Sequence, residues 1–132
     1  MRGIAVLSEF ASDLPAVVAD RIQIEQVVVN LVTNAMQAME GLSEARLTFR
    51  VFQRGDGWQV VTVSDSGRGI APPMLATMFD PFNSSREGGL GMGLSISRSI
   101  IEAHDGEMQA EHLSTGGATV GFALPPARDD RR

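Results

Sequence analysis

A chain of 132 residues with 43% apolar and 20% charged side chains has the size and composition of one soluble globular domain. Its net charge of −5 argues against a general affinity for nucleic acid or an anionic membrane, which rests on clustered Lys and Arg; a nucleotide held by backbone amides and one metal ion stays open. No cysteine is present, so disulfides and thiolate metal sites are ruled out.

Ile4 to Leu7 reads as a short first strand, and Ser12-Asp13-Leu14-Pro15 as a turn. Asp20 with Gln23 three residues later has the form of a capping box and starts a helix from Arg21 to about Met39. Along it Ile24, Val27, Val28, Leu31, Val32 and Ala35 recur at spacings of three and four, and Gly41 ends it. Residues 47–52 and 58–63 read as strands of a hairpin with Gly55-Asp56-Gly57 at its tip. Ser64 to Gly69 reads as a polar loop, and Pro72-Pro73 as the start of a short helix through Met78.

Asn83 to Gly93 has four glycines among eleven residues and reads as a loop. Leu94 to Ala103 forms a second helix with Ile96, Ile100 and Ile101 on its apolar side. Glu107 to Glu111 and Thr119 to Leu124 close the pattern as strands, ahead of a charged tail at 128–132 that is expected to be disordered. Paired strands with helices between them predict one α+β domain over residues 1–127, a two-layer sandwich with helices on one face of a mixed, mostly antiparallel sheet. The longest apolar stretch, Val27 to Val32, is interrupted by Asn30 and is far too short to span a membrane, and no signal-peptide pattern follows Met1. A cytoplasmic domain without membrane contact is expected.

Four segments carry candidate chemistry. Asn30 and Asn34 lie one turn apart on the long helix, beside its apolar stripe. Asparagine is a poor helix former, so the pair either satisfies buried polar groups or offers a carbonyl oxygen to Mg²⁺ and an amide to phosphate. Asp65-Ser66-Gly67-Arg68-Gly69-Ile70 follows a strand. It is either a plain turn or a carboxylate that accepts an exocyclic amine beside glycines that let a flat ring approach. Met78-Phe79-Asp80-Pro81-Phe82 is a packing corner or the anchor of a mobile loop. Gly88-Gly89-Leu90-Gly91-Met92-Gly93-Leu94 runs into a helix, where backbone N–H groups can gather around phosphate oxygens. No Gly-Lys-Ser/Thr follows it and no strand precedes it, so it is neither a P-loop nor a dinucleotide fingerprint.

In this order the four segments resemble the N box, first glycine box, F box and second glycine box of sensor histidine kinases, over nearly the whole chain. Residues 34–39 and 93–104 resemble the nitrogen-regulation and oxygen-sensing members in particular. The resemblance implies the Bergerat-type sandwich of the GHKL superfamily, with ATP between the helices beneath a lid at 83–88. It implies Asn34 as the Mg²⁺ ligand, with Asn30 supporting the phosphate side. Asp65 would recognise the adenine amine, with Gly67, Gly69 and Ile70 beside the base. Gly89, Leu90, Gly91, Gly93 and Leu94 would line the triphosphate, with Phe82 at the lid.

Some positions depart from the family pattern. Gln37 stands where many members have Lys or Arg, which weakens a phosphate contact or leaves it to another residue. Arg86 stands where close relatives have Lys, and is either a phosphate contact or a solvated lid charge. Gly116-Gly117-Ala118-Thr119 resembles a third glycine segment with Ala118 where Thr is common, so Thr119 is not counted as a base contact.

Gyrase, mismatch-repair and chaperone ATPases of this fold resemble one another in having Glu as the water-activating base where this chain has Asn30. Glu25 and Glu40 sit elsewhere and read as exposed flank charges. Transfer to another protein group is therefore expected over hydrolysis. Neither histidine, His104 or His112, lies in the His-Glu setting that the family phosphorylates, so the acceptor is expected on separate dimerisation and phosphoacceptor helices, with a response regulator downstream. The fragment itself is expected to be a monomer, its parent either soluble or membrane-anchored. An anti-sigma-factor-type serine/threonine kinase is the alternative, and a nucleotide-gated protein-binding module a third reading.

Overall fold

Where the chain reverses after Asp20, its carboxylate accepts the N–H of Gln23 at 3.0 Å, and α1 (Arg21–Ala38) starts as its capping pattern predicts. The other half of the cap has a different partner. The Asp20 N–H donates to His104 Nε2 at 3.0 Å, which ties the start of α1 to the far end of a later helix. These relations come from a computed structural model that describes residues 4–11, 19–80 and 90–127. The expected turn at 12–15, the lid at 83–88 and the tail at 128–132 lie outside the described residues.

The elements are β1 (Ile4–Phe10), α1, β2 (Ala45–Gln53), β3 (Gln59–Asp65), α2 (Pro72–Thr77), α3 (Leu90–Ala103), β4 (Glu107–His112) and β5 (Ala118–Leu124). They form a sheet of order β1-β2-β3-β5-β4 in which only the β1–β2 pair is parallel. The β2–β3 hairpin turns at residues 54–58, where Arg54 N–H donates to the Trp58 carbonyl at 2.8 Å. Helices α1 and α3 pack on each other and on one face of the sheet, which gives the expected α+β sandwich.

Alternation along the strands decides which residues meet the helices. Leu47, Val63, Val120, Phe122 and Leu124 point inward and pack with Val27, Leu31 and Ala35 of α1 and Leu94 and Ile101 of α3. The one-turn spacing of Val27, Leu31 and Ala35 is the core half of the α1 stripe; Ile24, Val28 and Val32 are only partly buried.

Three expectations change. Strand β3 runs on through Ser64 and Asp65, so the carboxylate is the last residue of the strand and not part of the loop beyond it. Helix α3 starts at Leu90, four residues earlier than the glycines suggested. Glycine costs about 1 kcal/mol in a helix relative to alanine but does not forbid one. Ile96 is half exposed, and the inward position belongs to Ser97, which is fully buried four residues before Ile101.

Candidate functional site for an adenine nucleotide

The site begins at the end of the central strand. Register aligns Leu47, Asp65, Ala118 and His112 in one row across four strands, with Asp65 only 6% exposed on the helix-covered face. Its Oδ1 accepts the Gly67 N–H at 2.8 Å and closes the turn that follows. Burial pushes the carboxyl above its ordinary 3.8; the N–H groups of Gly67 and Ala118 and the charge of Arg68 oppose that shift. A carboxylate so placed can hold a hydrogen-bond donor with little competition from water.

The turn is fixed on several sides. Gly67 lies so close to the Ala38 carbonyl at the end of α1 that an added Cβ would strike it. The Arg68 guanidinium donates to the Gln37 carbonyl at 3.4 Å, and the Ser66 hydroxyl accepts the Arg46 N–H at 2.9 Å. Gly69 has φ +81°, a backbone region glycine adopts freely, and an added Cβ there would run into the His112 ring. The Ile70 N–H donates to His112 Nδ1 at 3.2 Å. The result is a turn without side chains at Gly67 and Gly69, opening beside a buried carboxylate.

Successive turns of α1, about 5.4 Å apart, address the rest of the site. Asn30 donates from Nδ2 to the buried Ser97 Oγ of α3 at 3.0 Å. Asn34, one turn on, is half-buried and makes no side-chain hydrogen bond among the described residues, which leaves its carbonyl oxygen available. Ala38, one turn further, meets Gly67. Asn34 therefore stands between the tie to α3 and the turn beside Asp65. The first turn of α3, Leu90 to Gly93, supplies N–H groups that lack partners within the helix and the positive end of the helix dipole.

Of the residues singled out from sequence, Asn30, Asn34, Asp65, Gly67, Gly69 and Ile70 gather along α1 and the end of β3. Leu90, Gly91 and Gly93 lie in the first turn of α3 rather than in a loop, and Leu94 is a core residue at 5% exposure. Phe82, Arg86 and Gly89 lie outside the described residues. Thr119 bonds the Ser64 hydroxyl at 2.8 Å on the opposite face of the sheet, lining an open groove of about 550 Å³ with Arg50, Thr62 and Gln109, so it points away from Asp65.

Two contributors were missed from sequence. Ser97 was detectable as a polar residue in the inward period of α3, three after Leu94 and four before Ile101. His112 had no local signal, because its partner is 42 residues away. The donor set fits Mg·ATP in kind: a buried carboxylate for an amine, a turn that any side chain would fill, an amide oxygen and a helix N-terminus.

Comparison with known proteins identifies the family and the fold. The family described as histidine kinase-, DNA gyrase B- and HSP90-like ATPase matches residues 19–128. The sensor protein FixL of Bradyrhizobium diazoefficiens is 45% identical over 114 residues, covering 86% of this chain and 23% of its own length. The sensory histidine kinase/phosphatase NtrB of Escherichia coli O157:H7 is 36% identical over 114 residues, covering 80% and 33%. The chain thus spans about a quarter to a third of these relatives. Among solved structures, the nucleotide-free catalytic domain of histidine kinase ThkA superposes with a TM-score of 0.81 at 32% identity, covering 94% of this chain and 80% of that one. Full-length ShkA in complex with AMPPNP gives 0.81 at 27% identity, covering 96% and 26%. The chain belongs to the histidine kinase-, DNA gyrase B- and HSP90-like ATPase family, as an ATP-binding catalytic domain of the sensor histidine kinase type.

Proposed function

We propose that the domain binds Mg·ATP and presents the γ-phosphoryl group to a histidine on separate dimerisation and phosphoacceptor helices of a parent kinase, which in turn serves a response regulator. The observation that carries this is the side chain one turn before Asn34. A hydrolase needs a base there; Asn30 is an amide, and its Nδ2 is engaged with Ser97. Glu25 pairs with Arg21 at 3.1 Å on the exposed flank, and Glu40 is exposed beyond the helix end. Hydrolysis by the domain alone should accordingly be slow.

In this reading Asp65 accepts the adenine amine, and Gly67, Gly69 and Ile70 flank the ring. Asn34 would ligate Mg²⁺, which when bound would supply positive charge beside the phosphates, and Asn30 keeps α1 and α3 in register on the phosphate side. We assign the phosphate end to Gly89, Leu90, Gly91 and Gly93 and a role beside the phosphates to Phe82 and Arg86, while the Leu94 side chain is taken up by the core. The protein's part is to position the phosphates and stabilise their charge. ShkA, a structural relative, is described with AMPPNP, which supports an ATP-shaped site here. Ile22, Val29 and Met36, seven residues apart and exposed on α1, offer an apolar seam to partner helices. We read residues 1–127 as one domain, monomeric by itself and cytoplasmic; among the described residues no helix is long and apolar enough to cross a membrane.

The test mixes the domain with γ-labelled Mg·ATP and a phosphoacceptor segment from the parent kinase. Acid-labile label on the segment's histidine is expected, and none when that histidine is replaced. Acid-stable label on a serine or threonine would instead establish the anti-sigma-factor-type kinase. Bound nucleotide without any transfer would leave a nucleotide-gated binding module.

A further inference from the structure

Both histidines accept a backbone N–H, but in very different places. At the start of α1, far along the chain from the glycine turn, His104 Nε2 takes the Asp20 N–H, while its Nδ1 lies 2.8 Å from the Ile100 carbonyl. Through these two contacts the His104 ring clasps two helix ends. His112 ends β4 in the same row as Asp65, with Ala118 between them. Its Nδ1 accepts the Ile70 N–H at 3.2 Å, and its ring occupies the space beneath Gly69 that a side chain would need.

We propose that His112 is a positioning residue of the nucleotide site: its neutral ring holds the Gly69–Ile70 turn in shape for the base, and protonation releases that turn. The proposal rests on the reading of this turn as the base-binding element. An acceptor nitrogen must be unprotonated. The imidazolium has donors only, so on protonation the Ile70 N–H meets another N–H in place of a lone pair. The ring is exposed to solvent and can exchange its proton freely. Imidazoles change charge between about pH 5 and 8, so base binding should weaken in mild acid.

Among the neighbours, the buried Asp65 carboxyl also titrates, above its ordinary value, and its contribution is common to the native protein and its His112 variants. On the turn, Arg68 is directed to the Gln37 carbonyl, and on β3 the Asp65 carboxylate is held by Gly67. Glu111, next on β4, alternates to the opposite face, as its place in the groove there shows. Gly117, just before β5, Ala118 at its start and all of α2, Pro72–Thr77, are uncharged. On α3, which also packs on β4, Arg98 and Glu102 pair with each other at 3.0 Å.

The test measures ADP affinity from pH 8 to pH 5.5 for the native domain, His112→Asn and His112→Leu. Asn offers an acceptor oxygen near the place of Nδ1 but does not titrate; Leu keeps bulk and offers none. Differences between the profiles remove contributions from ADP itself, His104 and Asp65. We expect the native affinity to fall about fivefold more than that of His112→Asn across the range, and His112→Leu to be about fivefold weaker already at pH 8, as loss of one hydrogen bond implies. In the nucleotide-free native protein, the Ile70 amide resonance should titrate together with the His112 ring. Parallel profiles for native and His112→Asn, with ADP still bound, would overturn the proposal and leave nucleotide binding intact. An Ile70 amide that follows the ring while ADP fails to bind at any pH would overturn the base-binding reading, and the proposal with it.

Discussion

The two ends of the site are built from different material. The base end belongs to the sheet: Asp65 is part of a central strand, and its turn is fastened to α1 at Ala38 and Gln37, to β2 through Ser66 and Arg46, and to β4 through His112. The phosphate end belongs to two helices, which the Asn30–Ser97 bond ties together. Asp80 and Arg98 approach at 3.6 Å nearby, but both are exposed and add little. A base end fixed at many points suits selection among rings of fixed shape. Helix ends with N–H groups that lack intrahelical partners suit phosphate oxygens. The two ends should consequently fail separately when mutated.

Replacing Asp65 by Asn should have the largest effect. Loss of a charge-assisted hydrogen bond to the adenine amine corresponds to about 1.5–3 kcal/mol, or roughly a 10- to 150-fold loss of ADP affinity, with preference over GDP reduced. Stability should change by less than about 1 kcal/mol, because burial already disfavours the charge that is removed. Titration calorimetry and thermal melts read the two separately. The same carboxyl makes a pH prediction with opposite signs. Its pKa is raised in the folded chain, so between 3.8 and the raised value the folded state binds more protons than the unfolded state, and stability falls as pH rises. Adenine binding needs the carboxylate, so affinity falls as pH is lowered through the same window.

Asn34→Ala should come next and should act on the other end. We expect about tenfold weaker Mg-dependent binding, with adenine preference retained and the helix intact, since alanine is the better helix former. A folded variant with unchanged Mg²⁺ response would remove Asn34 from the metal role. Ser97→Ala should have the smallest effect on the nucleotide. It takes the acceptor from Asn30 Nδ2 in a fully buried position, which should lower stability by about 1–2 kcal/mol while changing ADP affinity only a few-fold. A large loss of affinity at unchanged stability would mean that Ser97 belongs to the site and not to its support.

How much of this was legible in the sequence follows the range of the interactions. The α1 cap at Asp20, the stripe through Val27, Leu31 and Ala35 and the β2–β3 hairpin depend on neighbours within a few residues, and each was readable. The start of α3 was not, because glycine marks loops on average but does not forbid a helix. Ile96 looked like core and is half exposed, since the inward position is taken by a serine with a partner on another helix. Asp65 was readable as a candidate, but its membership of the strand depends on pairing with Leu47 and Ala118. The bracing of its turn by His112 depends on the order of strands in the sheet, which no local pattern encodes.

Calorimetric titration of the domain with ADP and a non-hydrolysable ATP analogue, with and without Mg²⁺, tests the central claim most directly. Binding that prefers adenine over guanine nucleotides and strengthens with Mg²⁺ is the predicted result. A folded domain that binds neither nucleotide, or binds both bases equally with no response to the metal, would contradict the assignment of Asp65 to the base and Asn34 to the ion.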